Sequence, residues 1–290
     1  MNFTILIPTY NNLKYLKLFC ESLKINSNYK NQLVFHINDG SDGTYEFVNN
    51  NKYQFTHSKE NIGLCYSIKE ASKLIENEYV LYAHDDMFFC KNWDKYLTEA
   101  IQKQSDNLFY FSGTNVSYKD GILDLDCGNE PKNFDKIKFD SFCEKDSSQD
   151  LQGSHWAPHV IHRDLWYKVG GFSPEFDPGD GSDPDLCMKL WKEGVRTFKS
   201  ISKFKVYHFG SVTTRKKDKF IKNNGTKVFV LKWGITPRTF RKHYLKGEIK
   251  IEYNEPLKDP ELKFDFFKDL FIDKLKFIYF KILTIFKTQT

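Results

Sequence analysis

Short apolar runs alternate with helical patterns over the first 210 residues, and this alternation restricts the fold more than any other feature. Apolar runs that predict strands begin at Phe3, Leu33, Tyr79 and Leu108. Between them, apolar residues recur three or four positions apart, which is the spacing of a helix that packs on one face. Strands that alternate with helices predict an α/β fold with a mainly parallel sheet and helices on both of its faces.

Polar loops follow the predicted strands. Pro8, Thr9 and Tyr10 close the first strand, and Asn12 is predicted to cap the next helix. Asp39 follows the second strand. Because loops at the carboxyl ends of parallel strands form the ligand crevice, we expect these side chains to meet at one edge of the sheet, together with Asp85 and Asp86 after the third strand.

The composition is that of a globular protein, with 28% charged and 40% hydrophobic residues. No uncharged apolar run is long enough for a transmembrane helix. Met1 leads directly into the first strand, so we expect no signal peptide and a cytoplasmic protein. The six cysteines form no C-x-x-C pair, which favours free thiols over a zinc site.

Charge is distributed unevenly along the chain. Between Lys199 and Lys250 there are fifteen Lys and Arg and two acids, so this stretch carries +13 and the rest of the chain −8. Such a segment indicates either a polyanionic partner or a solvated basic face. No nucleic-acid motif accompanies it, and we expect no nucleic-acid partner.

The last segment, residues 261–287, has a helical pattern of its own. Its apolar stripe is flanked by further aromatic residues and ends in a basic region; the stripe consists of Phe264, Phe267, Phe271, Leu275, Ile278, Ile282 and Ile285. The pattern is typical of a helix that lies on an anionic membrane surface. Packing on the catalytic domain, or an oligomer contact through this helix, are the alternatives. Residues 119–152 are polar and weakly patterned, and predict a loop-rich insertion.

Several short motifs occur in a recognisable order. They are ILIPTYNN at 5–12, INDGSDGT at 37–44, ENIGL at 60–64, HDDM at 84–87, GGF at 170–172 and GSDPDL at 181–186. Together they resemble the inverting GT-A glycosyltransferases of family 2, from residue 3 to about residue 215. The resemblance implies a Rossmann-like nucleotide-diphospho-sugar transferase fold. Residues 1–215 would form the catalytic domain (nucleotide half about 1–115, acceptor half about 116–215), and 216–290 a basic, helical extension.

The resemblance also assigns the nucleotide site. Asp39 would read the base, Tyr10 could stack on it, and a side chain at position 63 would obstruct the nucleotide. The implied nucleotide contacts are Pro8, Thr9, Tyr10, Asp39, Asn61, Gly63 and Asp85. Asn38 replaces an aspartate of the family pattern.

The implied metal ligands are Asp86 and His208, for Mn²⁺ or Mg²⁺. A divalent cation held by carboxylates stabilises a diphosphate leaving group, which is the chemistry that this reaction demands. His84 stands where the family has its first acidic residue, and its role is either structural or a contact to ribose. Two adjacent aspartates after a strand are also typical of a simple turn.

Inversion needs one carboxylate to take the proton of the acceptor hydroxyl. The resemblance assigns this base to Asp183, although Ser182 replaces the glutamate that precedes it in the family. Asp180 and Asp185 are rivals for this role; Asp180 is otherwise an acceptor-site residue, and Asp185 is otherwise expected at the start of a helix. Trp156 either stacks on a sugar or belongs to the core.

The function implied is metal-dependent transfer of a hexosyl or N-acetylhexosaminyl group, most simply from a UDP-sugar, to a hydroxyl of a glycan or lipid-linked glycan. A catalytically weakened nucleotide-sugar-binding protein remains an alternative because of Asn38 and Ser182. A nucleotidyltransferase or pyrophosphorylase is another, but it would need a glycine-rich phosphate loop that the first strand does not offer. A location on the cytoplasmic face of a membrane would fit the C-terminal pattern.

Overall fold

The computed structural model describes residues 1–119, 121–210, 224–247 and 250–287. Its strands are β1 (Phe3–Tyr10), β2 (Gln32–Asn38), β3 (Gln54–Ser58), β4 (Tyr79–Tyr82), β5 (Met87–Phe89), β6 (Phe109–Ser117), β7 (Leu123–Asp124), β8 (Leu151–Gln152), β9 (His159–His162) and β10 (Thr197–His208). Its longer helices are α1 (Leu13–Asn26), α2 (Thr44–Asn50), α3 (Leu64–Ala71), α4 (Trp93–Gln102), α5 (Lys136–Lys145), α6 (Arg163–Val169), α7 (Ser182–Lys192), α8 (Gly225–Trp233) and α9 (Phe264–Lys287).

The strands form one sheet in the order β3-β2-β1-β4-β9-β6-β10-β5, with β7 paired to β6 and β8 to β10. The first four strands in this order are parallel. Strand β9 runs antiparallel to both β4 and β6, and β5 runs antiparallel to β10. The predicted α/β fold is therefore confirmed, with a parallel first half and a mixed second half.

Aromatic side chains fill much of the core. The ring of Trp93 on α4 lies 5.9 Å from Phe3, 5.0 Å from Phe89 and 5.6 Å from Phe204. All four side chains are fully buried, and they join three strands to one helix. Since such ring pairs add about 0.5–1.5 kcal/mol each beyond burial, this cluster explains how a chain rich in Phe and Tyr stabilises its sheet.

The prediction of a loop-rich insertion at residues 119–152 was wrong for part of that segment. It contains β7, α5 and β8, and Phe139 of α5 is fully buried against Phe88 at a ring distance of 5.9 Å. One buried aromatic residue anchors this helix, and its weak periodicity explains why the sequence did not reveal it.

The C-terminal part follows the sheet as α8, a helical turn at Pro237–Thr239 that continues as a π-helix at Phe240–Leu245, and α9. Phe240 and Tyr244 pack edge-on against Trp191 of α7. The predicted domain boundary at 215–216 lies in residues 211–223, outside the described residues, and stays a prediction. Within the described ranges, no helix is both long and apolar enough to cross a membrane.

Candidate active site

The carboxyl ends of β1, β2 and β4 meet at one edge of the sheet. Tyr10 lies opposite Asn38 in the β1–β2 register, and Leu6 lies opposite Tyr82 in the β1–β4 register. Because these strands are parallel, the loops that follow them leave the sheet on the same side. The four neighbouring parallel strands β3, β2, β1 and β4 therefore form the edge at which the crevice was expected.

Asn12 joins two of these loops. Its Nδ2 donates a hydrogen bond to Asp85 Oδ1 over 3.0 Å, and both residues are buried. Asn12 does occupy the N-cap position of α1, but its side chain makes no capping bond. The prediction that its side chain caps α1 was wrong, because the Asp85 carboxylate takes its amide and Asp42 Oδ2 accepts the Leu13 N–H over 2.9 Å instead.

Asn11 fixes the loop after β2. Its Nδ2 donates to Asp39 Oδ2 over 2.8 Å, and its Oδ1 accepts the Gly40 N–H over 2.9 Å. Hydrogen bonds from Asn11 and then Ser41 lower the pKa of Asp39 below its usual value. Asp39 is therefore an ionised, oriented acceptor at the crevice, and such a carboxylate can accept an N–H of a nucleobase.

The replacement of the family aspartate by Asn38 has a structural reason. Asn38 is buried; its Nδ2 donates to Ser67 Oγ over 2.9 Å, while its Oδ1 accepts the Ile62 N–H over 2.9 Å and the Ser58 hydroxyl over 3.2 Å. A side chain that both donates and accepts suits this position, whereas an ionised carboxylate only accepts. Asn38 thus ties β2 to α3 and to the intervening loop.

His84, Asp86 and His208 form a cluster whose ligand atoms all lie within 4.8 Å of one another. Asp86 Oδ1 lies 3.2 Å from His208 Nε2, and His84 Nδ1 lies 3.4 Å from the same nitrogen. Burial would raise the pKa of Asp86, but the two histidines outweigh it and hold this pKa at about 2. Burial and His208 lower the pKa of His84 to about 4, so a neutral imidazole faces an ionised carboxylate. Such a donor set can hold a divalent cation.

Tyr82, the last residue of β4, connects this cluster to the other side of the crevice. Burial raises its pKa well above the usual value, and so do the nearby charges of Asp183 and Asp86. Its ring packs against His84 at 5.4 Å and edge-on against Phe172 at 4.9 Å. Asp183, in the first turn of α7, and Asp86 of the cluster therefore both lie near Tyr82.

Asp183 is an unusually basic carboxylate. Burial raises its pKa to about 7, and its Oδ1 has no hydrogen-bond partner among the described residues. A carboxylate with a pKa near 7 is half ionised at neutral pH and can accept a proton from a hydroxyl. The assignment of Asp183 as the catalytic base stays a prediction.

The other acidic or polar residues of this loop have structural partners. Asp180 Oδ2 accepts the Gly225 N–H at the start of α8 over 3.1 Å. Ser182 is buried, and its hydroxyl donates to the Gly179 carbonyl over 2.7 Å. Neither contact involves Asp183.

Asp185 is fully buried and serves as an anchor for α8. It accepts hydrogen bonds from Ser173 Oγ over 2.6 Å and from Trp233 Nε1 over 2.8 Å, and the Lys232 ammonium lies 2.9 Å away. Its expected position in the first turn of α7 is what the structure shows. These contacts give Asp185 a structural role, whereas the Oδ1 atom of Asp183 has no hydrogen-bond partner among the described residues.

Gly63 lies at the start of α3 with φ of 86°, a conformation that favours glycine. A Cβ at this position would collide with the carboxyl group of Asp177, which accepts the Cys65 N–H over 2.8 Å. The sequence analysis expected glycine here because a side chain would obstruct the nucleotide. In the structure, the group that a side chain at position 63 would meet is the carboxyl group of Asp177. Asn61 is exposed, and its Oδ1 accepts the Gly63 N–H over 3.1 Å.

The remaining predicted residues differ in exposure. Pro8 and Tyr10 are partly exposed at the end of β1, whereas Thr9 is buried. Trp156 is partly exposed, and its Nε1 donates to the Gly113 carbonyl over 2.9 Å, which fixes the plane of its ring. Its contact with a sugar stays a prediction.

Sequence reasoning missed several residues of the site. Asn11 lies within the motif at 5–12 but was given no role there, and Tyr82 lies in no motif; the roles of both depend on contacts between distant parts of the chain. His159 is fully buried with no hydrogen bond to either ring nitrogen among the described residues, and its ring lies 5.2 Å from Tyr82. Burial and then His84 lower the pKa of His159 to about 3, so it is a neutral ring beneath the crevice. Nothing in the sequence around His159, which follows Pro158, indicated that this histidine would be buried and neutral.

Residues 4–145 match the protein family described as Glycosyl transferase family 2. A comparison with curated proteins finds no significant match.

Solved structures with the same fold include TarS of S. aureus, residues 1–349, at 15% identity and a TM-score of 0.54 over 72% of this chain and 60% of that one. The same TarS fragment in complex with UDP-GlcNAc matches at 15% identity and a TM-score of 0.51, over 73% of this chain and 61% of that one. GalNAc-T7 with UDP, GalNAc and Mn²⁺ matches at 12% identity and a TM-score of 0.54, over 79% of this chain and 48% of that one. The chain thus spans about three fifths of the TarS fragment, and at these identities the likeness concerns the fold.

Proposed function

Because residues 4–145 match glycosyl transferase family 2 and the chain has the GT-A fold, we propose that it transfers a sugar from a UDP-sugar to a hydroxyl of a glycan or lipid-linked glycan. We include inversion at the anomeric carbon and dependence on a divalent metal in this proposal. One observation carries it: Tyr82 lies close to both Asp183 and Asp86 of the His84–Asp86–His208 cluster, because both carboxylates raise its pKa. A leaving-group site and a base are the two groups that inverting transfer requires.

Asp39 supports a nucleotide donor. Its ionised carboxylate is held by Asn11 at the end of β2, where it can accept an N–H of a base such as uracil. The similar TarS fragment binds UDP and UDP-GlcNAc in its structures, and GalNAc-T7 was solved with UDP and GalNAc. A UDP-hexose or UDP-N-acetylhexosamine is therefore the donor class that we propose.

The donor set of the cluster fits a metal ion. Two imidazoles and one carboxylate suit Mn²⁺ better than Mg²⁺, because Mg²⁺ strongly prefers oxygen ligands. We propose Asp86, His208 and His84 as ligands, which gives His84 a role that its sequence position left open. When bound, the metal would neutralise charge on the leaving diphosphate. Asp85, oriented by Asn12, would then contact the ribose or the sugar.

Asp183 is the proposed base. With a pKa of about 7 and a carboxylate oxygen that lacks a hydrogen-bond partner in the described chain, it can take the proton of the acceptor hydroxyl as that oxygen attacks the anomeric carbon. The bond between the anomeric carbon and the diphosphate oxygen breaks in the same step. The carboxylate of Asp180 is bonded to the α8 backbone, which favours Asp183 over this rival.

The structure offers no support for a weakened binding protein. Both departures from the family pattern, Asn38 and Ser182, have hydrogen-bond partners that explain them, and neither removes a group from the cluster or from Asp183. A nucleotidyltransferase would still need a glycine-rich phosphate loop after the first strand, where the sequence is PTYNN.

Thermal unfolding with nucleotide donors tests the proposal. UDP with Mn²⁺ should raise the melting temperature of the full chain, because a ligand that binds only the folded state stabilises it. Asp86→Ala should lose the metal-dependent part of this rise, whereas Glu99→Ala, which removes an exposed carboxylate of α4, should keep it. Unchanged UDP binding by Asp86→Ala would contradict the metal assignment. Mass spectrometry of donor hydrolysis then separates an enzyme from a binding protein.

A further inference from the structure

The long C-terminal helix α9 contacts the rest of the protein along one narrow face. Phe266 is buried against His243 and Tyr244, at ring distances of 5.0 and 6.1 Å. Asp269 Oδ2 accepts hydrogen bonds from Lys242 and His243, each over 2.7 Å. Asp273, 2% exposed, accepts the Thr236 N–H over 2.8 Å. The acidic residues of α9 therefore serve to hold the helix against the π-helical segment and the turn before it.

The apolar stripe of α9 lies on the opposite face. Its members are between 45% and 85% exposed, and they are Phe264, Phe267, Phe271, Leu275, Ile278, Ile282 and Ile285. With about 100° of rotation per residue, positions 264, 271, 275 and 282 align on one side, while 266 and 273 point away from it. Packing on the catalytic domain, one of the alternatives raised by the sequence, is therefore not what this stripe does in the described structure.

The charges of the distal half of α9 have one sign. From Lys274 to the end of the sequence there are four lysines and no acidic residue. Lys274 and Lys281 are exposed and flank the stripe on one side, and Lys268 flanks it on the other. An exposed apolar stripe bordered by lysines fits the interface of an anionic bilayer, where the stripe enters the acyl boundary and the ammonium groups meet phosphates.

We infer that α9 binds an anionic lipid surface and lies parallel to it, with the stripe inserted. A second copy of this chain is a poorer partner, because pairing two such stripes would bring rows of lysines together without opposing acids. Each lysine near an anionic surface adds about 1 kcal/mol of attraction, and the apolar side chains add burial. Since no helix in the described ranges is apolar enough to span a membrane, the attachment is peripheral.

This attachment would orient the active site. Helix α9 packs on α8, and α8 is joined to the loop of the proposed base through the Gly225–Asp180 and Trp233–Asp185 hydrogen bonds. The acceptor side would therefore be held near the bilayer, where a lipid-linked acceptor is located. This last step rests on the proposed function, whereas lipid binding itself does not.

Sedimentation with vesicles tests the inference. The full chain should bind vesicles of phosphatidylglycerol and phosphatidylcholine and bind pure phosphatidylcholine at least about 10-fold more weakly, and binding should fall as salt rises. The stripe variant Phe271→Gln/Ile278→Gln should bind at least 10-fold more weakly. Its matched control is Tyr279→Gln/Leu283→Gln, which removes two exposed apolar side chains of the same helix outside the stripe and should change binding by less than about threefold.

Three results would overturn the inference. One is equal vesicle binding by the stripe variant and the wild type. Another is the absence of vesicle binding by the wild-type chain. The third is a dimer in analytical ultracentrifugation that the stripe variant converts to a monomer, without any vesicle binding, since the stripe would then be a contact between copies. UDP-induced thermal shifts of the same variants serve as the folding control. If the wild-type chain shows no UDP-induced shift, that result contradicts the proposed function but leaves the inference about lipid binding unaffected.

Discussion

Asp86 and His208 approach each other at 3.2 Å, the carboxylate from the loop after β4 and the imidazole from the end of β10. Strand β5 sets this distance, because Met87, the residue after Asp86, pairs with His208 in the antiparallel β5–β10 register. The pairing of β5 with β10 therefore places Asp86 beside a histidine that lies more than a hundred residues later in the chain. His84 approaches the same nitrogen from the other end of the triplet.

The first prediction concerns His84. If it is a ligand, His84→Ala should weaken Mn²⁺ binding in the presence of UDP by at least about 10-fold and reduce the preference for Mn²⁺ over Mg²⁺, because a nitrogen donor is lost. Free Mn²⁺ measured by electron paramagnetic resonance checks this without an activity assay. The control is His57→Ala, a histidine at the β3 edge whose Nε2 bonds the Asp39 carbonyl. Equal Mn²⁺ affinity in His84→Ala and wild type would show that His84 has no ligand role.

The second prediction concerns the rate of transfer. Asp183→Asn keeps the shape of the side chain and removes its basicity, so transfer should fall by at least about 10²-fold while UDP binding persists. Asp180→Asn is the matched control and should retain most activity. If Asp180→Asn loses transfer and Asp183→Asn does not, the two roles are exchanged.

The pH profile should report the same group. Since the base must be ionised, wild-type transfer should rise with pH through about 7, the pKa of Asp183. The titratable groups that face Asp183 are Tyr82, Tyr110, Cys65 and Cys187, and burial raises the pKa of each, so all four are neutral at this pH. A profile that is flat from pH 5 to pH 8 would contradict the assignment.

The third prediction concerns stability. A carboxyl group with a pKa of about 7 in the folded protein and 3.8 in the unfolded chain loses favourable free energy as pH rises from about 4 to about 7, because the unfolded state ionises first. Asp183→Asn has no such dependence. The variant should therefore gain stability relative to the wild type as pH rises through this window, measured by urea unfolding at pH 4.5 and pH 8. An equal difference at both pH values would show that the Asp183 pKa is unperturbed.

The fourth prediction concerns Asn38. Asn38→Asp restores the residue of the family pattern but removes the amide that donates to Ser67, and places a charge in a buried network. We expect a loss of about 1–3 kcal/mol in the free energy of unfolding, the cost of an unsatisfied buried polar group. Asn61→Asp, at an exposed asparagine that acts as an acceptor, should change stability little. A stable Asn38→Asp variant would mean that the network re-forms around a carboxylate.

The sequence alone determined the parallel strands of the first half of the sheet and the helices between them. Apolar runs at Phe3–Tyr10, Gln32–Asn38 and Tyr79–Tyr82 became parallel strands, because a chain that alternates such runs with helical segments buries them in one sheet. The meeting of the loops after those strands was also predictable, since parallel strands end at a common edge. The resemblance to family 2 followed from the order of the motifs, and residues 4–145 match that family.

Only the tertiary structure decided what the individual side chains do. The sequence predicted that Asn12 caps a helix, whereas its side chain donates a hydrogen bond to Asp85. It predicted that glycine at position 63 leaves room for a nucleotide, whereas in the structure this glycine leaves room for the Asp177 side chain. The pKa of Asp183 depends on how much protein surrounds its carboxyl group, which no local pattern encodes. For α9, the sequence specified an apolar stripe, but which way that stripe faces was set by the hydrogen bonds of Asp269 and Asp273 to the neighbouring segment. Periodicity is a property of local sequence, whereas orientation and burial are properties of contacts between distant residues.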